Sequence, residues 1–141
     1  MVCWSPGGVY LASCSDDGTA KIWTIDSGLK HDLRGHEKEI FTLRWTPTGP
    51  NSNNPSIPLY LCTASFDGTV KVWNGETGVQ VFSFSKQSVQ PVYSLSPSPD
   101  GKWLTSGSLG GNVSIWSLDN GELVCFAYLI LFLLYFIISL F

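Results

Sequence analysis

His36, Ser65 and Asp67 are the residue types of a base, a nucleophile and an orienting acid. In the right geometry such a trio performs acyl transfer, the imidazole taking the hydroxyl proton while the carboxylate holds the ring. The surrounding sequence does not support that chemistry: no nucleophile elbow presents Ser65, and no glycine-rich loop offers an oxyanion hole. A triad is defined by geometry rather than by residue types, so the trio is read as structural and no enzyme activity is expected. The 2 histidines, His31 and His36, lack thiol or acidic partners at the spacing a zinc site needs. Cys3, Cys14, Cys62 and Cys125 contain no pair at two-residue spacing, and Cys14 and Cys62 fall in apolar runs where a thiol behaves as a small hydrophobe. No glycine-rich phosphate loop is present. Neither a metal nor a cofactor is expected.

The elements that must position these residues emerge from self-comparison. Ser15-Asp16-Asp17-Gly18-Thr19-Ala20-Lys21-Ile22-Trp23 recurs as Ser65-Phe66-Asp67-Gly68-Thr69-Val70-Lys71-Val72-Trp73. A weakened third copy, Ser108 to Trp116, has Gly110-Gly111 where the others have Asp-Gly. The closing tryptophans, Trp23, Trp73 and Trp116, are 50 and 43 residues apart. Trp4-Ser5-Pro6, Trp45-Thr46-Pro47 and Pro97-Ser98-Pro99 form a second landmark ahead of each, and the longer second unit carries a turn-rich stretch over 49–58 that is expected to be a surface loop. Each unit reads as four short strands, in the second roughly 39–45, 59–64, 70–73 and 79–84, with Asp67-Gly68 as a tight hairpin turn. The composition agrees: 6 Trp, 8 Phe, 5 Tyr, 14 Gly and 8 Pro suit many short strands and leave no room for long helices before the C-terminal segment. With 8 basic against 11 acidic residues, bulk charge supplies no reason for direct nucleic-acid binding.

Units of this length, with four strands and an aspartate before a strand ending in Trp, are WD40 blades. The expected fold is therefore all-β: about three four-stranded blades of a WD40 β-propeller over 1–122 (1–34, 35–85 and 86–122), an incomplete ring, and a hydrophobic tail over 123–141. More particularly, His31 to Ile40, Trp45 to Pro50, Asn53-Asn54-Pro55, Ala64 to Asp67 and Pro91 to Leu95 resemble the transducin-β-like family of F-box-like/WD-repeat nuclear corepressor subunits, with the plant members nearest. The resemblance covers about 2–124. It implies a structural hydrogen-bond network of His36, Ser65, Asp67 and Trp73 in the second blade, with Thr63 able to replace Ser65. The first blade keeps Asp17 and Trp23, and the third keeps Trp116. It also implies a non-enzymatic interaction scaffold in the nucleus, whose partners are corepressor subunits, histone deacetylase assemblies and histone tails. A ubiquitin-ligase substrate receptor and a membrane-tethered remnant without function are the alternatives.

The chain departs from that pattern in places. The first blade is expected to lack its preceding strand and its Gly-His element, and Gln87-Ser88 stand where the third should have Gly-His. Family members carry a closed propeller with N-terminal dimerisation and F-box-like segments, so the chain is read as a fragment or truncated product. Three blades leave open sheet edges.

Docking in such folds uses the rim that carries the strand 2–3 turns. The resemblance places the residue before the turn aspartate there, namely Asp16, Phe66 and Leu109, together with Phe41 and Tyr93, four positions before the second landmark. Exposed aromatics around an opening are typical interface anchors. The competing expectation is that Phe41 and Tyr93 belong to the core between blades. Glu37-Lys38-Glu39 is read as a solvated loop.

The segment 123–141 carries no charge and as a helix would span roughly 28 Å, close to a bilayer's apolar thickness. It lacks flanking Lys or Arg and starts inside the expected last strand of the third blade. It is read as a helical tail arising from a gene-structure accident, with membrane association as its possible consequence. No secretory signal precedes the first blade, since Met1 leads directly into strand-like sequence.

Overall fold

A computed structural model describes residues 1–85 and 90–128. Its strands form three antiparallel sheets, each taking four consecutive strands in chain order. Blade one comprises β1 (Val2–Trp4), β2 (Tyr10–Cys14), β3 (Thr19–Thr24) and β4 (Gly28–Arg34). Blade two comprises β5 (Ile40–Trp45), β6 (Tyr60–Ser65), β7 (Val70–Asn74) and β8 (Gln80–Phe84). Blade three comprises β9 (Val92–Pro97), β10 (Trp103–Ser108), β11 (Asn112–Ser117) and β12 (Leu123–Tyr128). The hairpin between the second and third strands closes through a glycine in the left-handed region in each blade, Gly18 (φ 78°), Gly68 (φ 83°) and Gly111 (φ 74°). Gly111 keeps this role although Gly110 has replaced the aspartate before it.

Two expectations require correction. Blade one does have a first strand: Val2, Cys3 and Trp4 pair with Ser13, Ala12 and Leu11, because three residues suffice to continue the β2 ladder. Leu123–Tyr128, expected to open the helical tail, instead form β12 and move the end of blade three beyond residue 122. Gly121 (φ 76°) turns the chain back, and β11 offers an unpaired edge whose backbone groups β12 satisfies from Asn112↔Tyr128 to Trp116↔Leu123. An apolar run without period does not distinguish strand from helix, so the neighbouring edge decides. The expected tail beyond Tyr128 and the Gln87-Ser88 departure lie outside the described residues. Among the described residues no helix is long and apolar enough to cross a membrane.

The core is divided between blades. Tyr10, Ala12, Ile22, Leu43, Leu61 and Trp73 bury one cluster between blades one and two. Cys62, Val70, Val72, Phe84, Leu104 and Trp116 bury another between blades two and three, where the Phe84 and Trp116 rings stack at 4.6 Å. Blade two is thus covered on both faces, and Leu61 through Ser65 are all fully buried. β2 and β10 retain the alternation of strands covered on one face. Burial pushes the Cys62 thiol up to about 12 and leaves it a hydrophobe.

Two polar clasps reinforce the stack. The Tyr10 hydroxyl on blade one lies 2.9 and 3.0 Å from the Glu76 carboxylate oxygens on blade two, and Lys30 Nζ donates to both groups at 2.9 and 3.2 Å. The turn-rich stretch is more than a surface loop. Asn54 Nδ2 donates to the carbonyls of Pro47 and Pro99, each at 3.1 Å, tying it to blade three.

Candidate docking surface

The residues that could do chemistry are assembled first by blade two. The Trp73 indole N–H donates to Thr63 Oγ1 at 2.9 Å. Thr63 Oγ1 lies 2.8 Å from His36 Nε2, and His36 Nδ1 lies 2.9 Å from Asp67 Oδ2. The carboxylate only accepts, so Nδ1 carries the ring proton, Nε2 accepts from Thr63, and the chain of donors runs in one direction. Asp67 also accepts from Glu37 N (3.0 Å), Thr69 N (2.8 Å) and Thr69 Oγ1 (2.6 Å).

These partners set the charges. Burial pulls the His36 imidazole below its ordinary value and outweighs the opposing pull of Asp67, so the ring is neutral near pH 7. Burial pushes the Asp67 carboxyl up, but the hydrogen bonds from Thr69, Glu37 and His36 together hold it below the usual carboxylate range.

Thr63, His36 and Asp67 therefore stand in the order hydroxyl, imidazole, carboxylate. The Thr63 hydroxyl and the His36 side chain are nevertheless fully sealed, and Thr63 Oγ1 is already occupied by the Trp73 indole. A nucleophile that no substrate can reach performs no acyl transfer. Ser65 stands outside this chain: its hydroxyl donates to Lys38 O at 3.1 Å and accepts from Asp67 N at 3.0 Å.

The equivalent residues elsewhere form shorter versions. In blade one Trp23 donates to Ser13 at 2.9 Å, and Asp17 caps its own turn by accepting from Thr19 N and Oγ1 at 2.9 and 2.7 Å. Those bonds, the Thr19 hydroxyl first, lower the Asp17 carboxyl. In blade three Trp116 donates to Ser106 at 2.9 Å. The unrecognised signal was a hydroxyl residue ten positions before each closing tryptophan: Ser13, Thr63 and Ser106.

Of the five expected rim residues, the structure brings four together. Phe41, Phe66, Tyr93 and Leu109 line an open apolar cleft of about 310 Å³ between blades two and three, joined by Pro91, which rim reasoning missed. Phe41 and Tyr93 are 51% and 50% exposed, which excludes them from the core. The reason is a pair of bulges. β5 pairs Ile40 with Ser65 and Thr42 with Ala64, leaving Phe41 as the extra residue, and β9 skips Tyr93 between Val92↔Ser108 and Ser94↔Gly107. A bulge re-aims the side chain it inserts.

Phe66 and Leu109 sit on the facing turns, 37% and 67% exposed. Their backbone N–H groups donate to Glu39 O (3.0 Å) and Pro91 O (2.8 Å). The Phe41 and Phe66 rings meet at 4.9 Å. Asp16 occupies the matching turn of blade one, exposed and outside the cleft lining. Glu37, Lys38 and Glu39 are exposed on the adjoining loop. Among the described residues no cluster of three or more His, Cys, Asp or Glu could hold a metal.

Comparison with known proteins follows the same lines. The family model described as "WD domain, G-beta repeat" matches residues 1–24, 27–74 and 78–117. The WD40 repeat-containing protein HOS15 of Arabidopsis thaliana is 54% identical over 104 residues, covering 73% of this chain and 17% of the relative. The WD repeat-containing protein 26 homolog of the same plant is 30% identical over 126 residues, 86% of this chain and 20% of the relative. The human F-box-like/WD repeat-containing protein TBL1X is 49% identical over 46 residues, 33% of this chain and 8% of the relative. The chain thus spans a fifth or less of the length of these relatives.

Proposed function

The chain belongs to the WD40 repeat family, and from that premise we propose that it is a protein-docking scaffold of a nuclear corepressor assembly, working without chemistry on a substrate. The observation that carries this reading is the cleft of Phe41, Phe66, Pro91, Tyr93 and Leu109, an exposed apolar surface fixed by rigid turns. Its occupant is an extended segment of a partner protein that inserts an apolar side chain. Glu37 and Glu39 outnumber Lys38 on the exposed adjoining loop, which favours a basic segment such as a histone tail. The resemblance to the transducin-β-like family, and the similarity to HOS15 and TBL1X, support corepressor subunits and histone deacetylase assemblies as the further partners and the nucleus as the compartment. The sealed Thr63 hydroxyl supports a scaffold over a hydrolase.

Titration of the full chain with histone-tail peptides and corepressor-subunit segments tests this. Truncating an interface anchor costs about 2 kcal/mol, so Phe66→Ala and Tyr93→Ala should each weaken binding by ~10-fold or more. A control at Val79, exposed on the β7–β8 turn, should leave binding unchanged. Binding indifferent to both cleft variants contradicts the proposal.

A further inference from the structure

The rim cleft joins two properties that few side chains satisfy together. Its lining consists of three aromatic rings, Phe41, Phe66 and Tyr93, with Pro91 and Leu109. Phe41 and Phe66 pack against each other at 4.9 Å on the blade-two wall, and Tyr93 stands half exposed on the blade-three wall. Such a lining takes apolar atoms, and a bare ammonium entering it gives up water that binds its three N–H groups strongly. The adjoining loop has the opposite preference. Glu37 and Glu39 are exposed there against the single cation Lys38. Glu39 is also tied to the cleft wall: its carbonyl accepts from Phe66 N at 3.0 Å, and it lies two positions before Phe41. Carboxylates in that place draw positive charge towards the rings.

An apolar surface and a positive charge meet in one group, a lysine ammonium whose N–H bonds are replaced by methyls. Its outer atoms are all carbon and hydrogen, and its charge is attracted by the negative faces of aromatic rings. We propose, on the premise that the cleft is the docking site, that the side chain it receives is a trimethylated lysine of the basic partner segment. Phe41, Phe66 and Tyr93 supply the rings for the cation. Glu37 and Glu39 bring the segment to the rim. An unmodified lysine keeps its water and stays outside, so the methylation state of the partner sets the strength of docking.

Titration of the full chain with one histone-tail peptide in three forms tests this. A chosen lysine is left unmodified, trimethylated, or replaced by the neutral isostere with carbon in place of the ammonium nitrogen, each lysine being taken in turn. At one lysine the trimethylated form should bind about 5-fold tighter than either of the others. Phe66→Leu and Tyr93→Leu keep apolar bulk but remove a ring, so each should shrink the advantage over the isostere. If the isostere or the unmodified peptide matches the trimethylated form at every lysine, the proposal is overturned. Docking itself survives that result where the unmodified peptide binds and Phe66→Ala weakens it. Binding by none of the forms overturns both.

Discussion

Blades two and three start from the same bond, a tryptophan indole donating to a hydroxyl at 2.9 Å, and diverge immediately afterwards. In blade two the hydroxyl passes to His36 and then to Asp67, which pins the turn bearing Phe66 and the loop that begins at Glu37. In blade three the path among the described residues ends at Ser106, and the turn bearing Leu109 is held by Leu109 N to Pro91 O and Gly111 N to Ser108 O. The Trp–hydroxyl bond is therefore the common frame of the blade. The His–Asp extension is a separate device that stiffens one rim turn. The cleft between the blades has one wall of each kind: Phe66 on the locked turn and Leu109 on the simpler one.

The sharpest way to break this comparison is Asp67→Ala. It removes the acceptor of four hydrogen bonds and should cost about 4 kcal/mol in denaturant melts. Asp17→Ala, in a turn that lacks a histidine, should cost clearly less. Next comes the shared frame. Thr63→Val keeps the volume but leaves the Trp73 indole and His36 Nε2 unpaired in the interior, for about 3 kcal/mol. Ser106→Ala deprives Trp116 alone among the described residues and should cost about 1–2 kcal/mol. Equal losses would show that the extension to His36 adds nothing.

Acid should act chiefly on blade two. His36 is held below its ordinary 6.5, so its folded form prefers the neutral ring. The stability this contributes is complete above pH 6.5 and is lost as pH falls through the lowered value. The depressed Asp67 adds a second loss below 3.8. Melting temperatures should be flat from pH 7 to 8 and decline below 6.5, and His36→Gln should flatten the first decline. The smallest effect is at Cys62. With its thiol near 12 and no exposure, it should resist alkylation at pH 8 while the exposed Cys125 reacts.

Much of this arrangement was readable from residue order. Repeated Asp-Gly before a strand ending in Trp placed the blades, while Phe66 and Leu109 beside the turns and Phe41 and Tyr93 ahead of the second landmark came from the family resemblance. Asp16 fell outside because the cleft needs a following blade's bulged aromatic opposite an apolar turn residue, and its turn presents a carboxylate. Whether Phe41 and Tyr93 faced core or solvent was undecidable from alternation, since a bulge resets the parity of a strand and leaves no mark in the sequence. The sequence offers two hydroxyls for the network, Ser65 and Thr63; the ten-residue offset to Trp73 picks out Thr63 once the β6–β7 register is known. Leu123–Tyr128 read as helix because an apolar run has no intrinsic period, and only the waiting edge of β11 made it a strand.

The central claim is that the rim cleft between blades two and three receives a partner's segment. Hydrogen exchange of the full chain, alone and saturated with a histone-tail peptide that binds it, tests this most directly. The account predicts slowed exchange at the Phe66 and Leu109 amides, which close the two walls, and no change at Asp16. Protection confined to blade one, or to the opposite side where Asn54 meets Pro99, would contradict it.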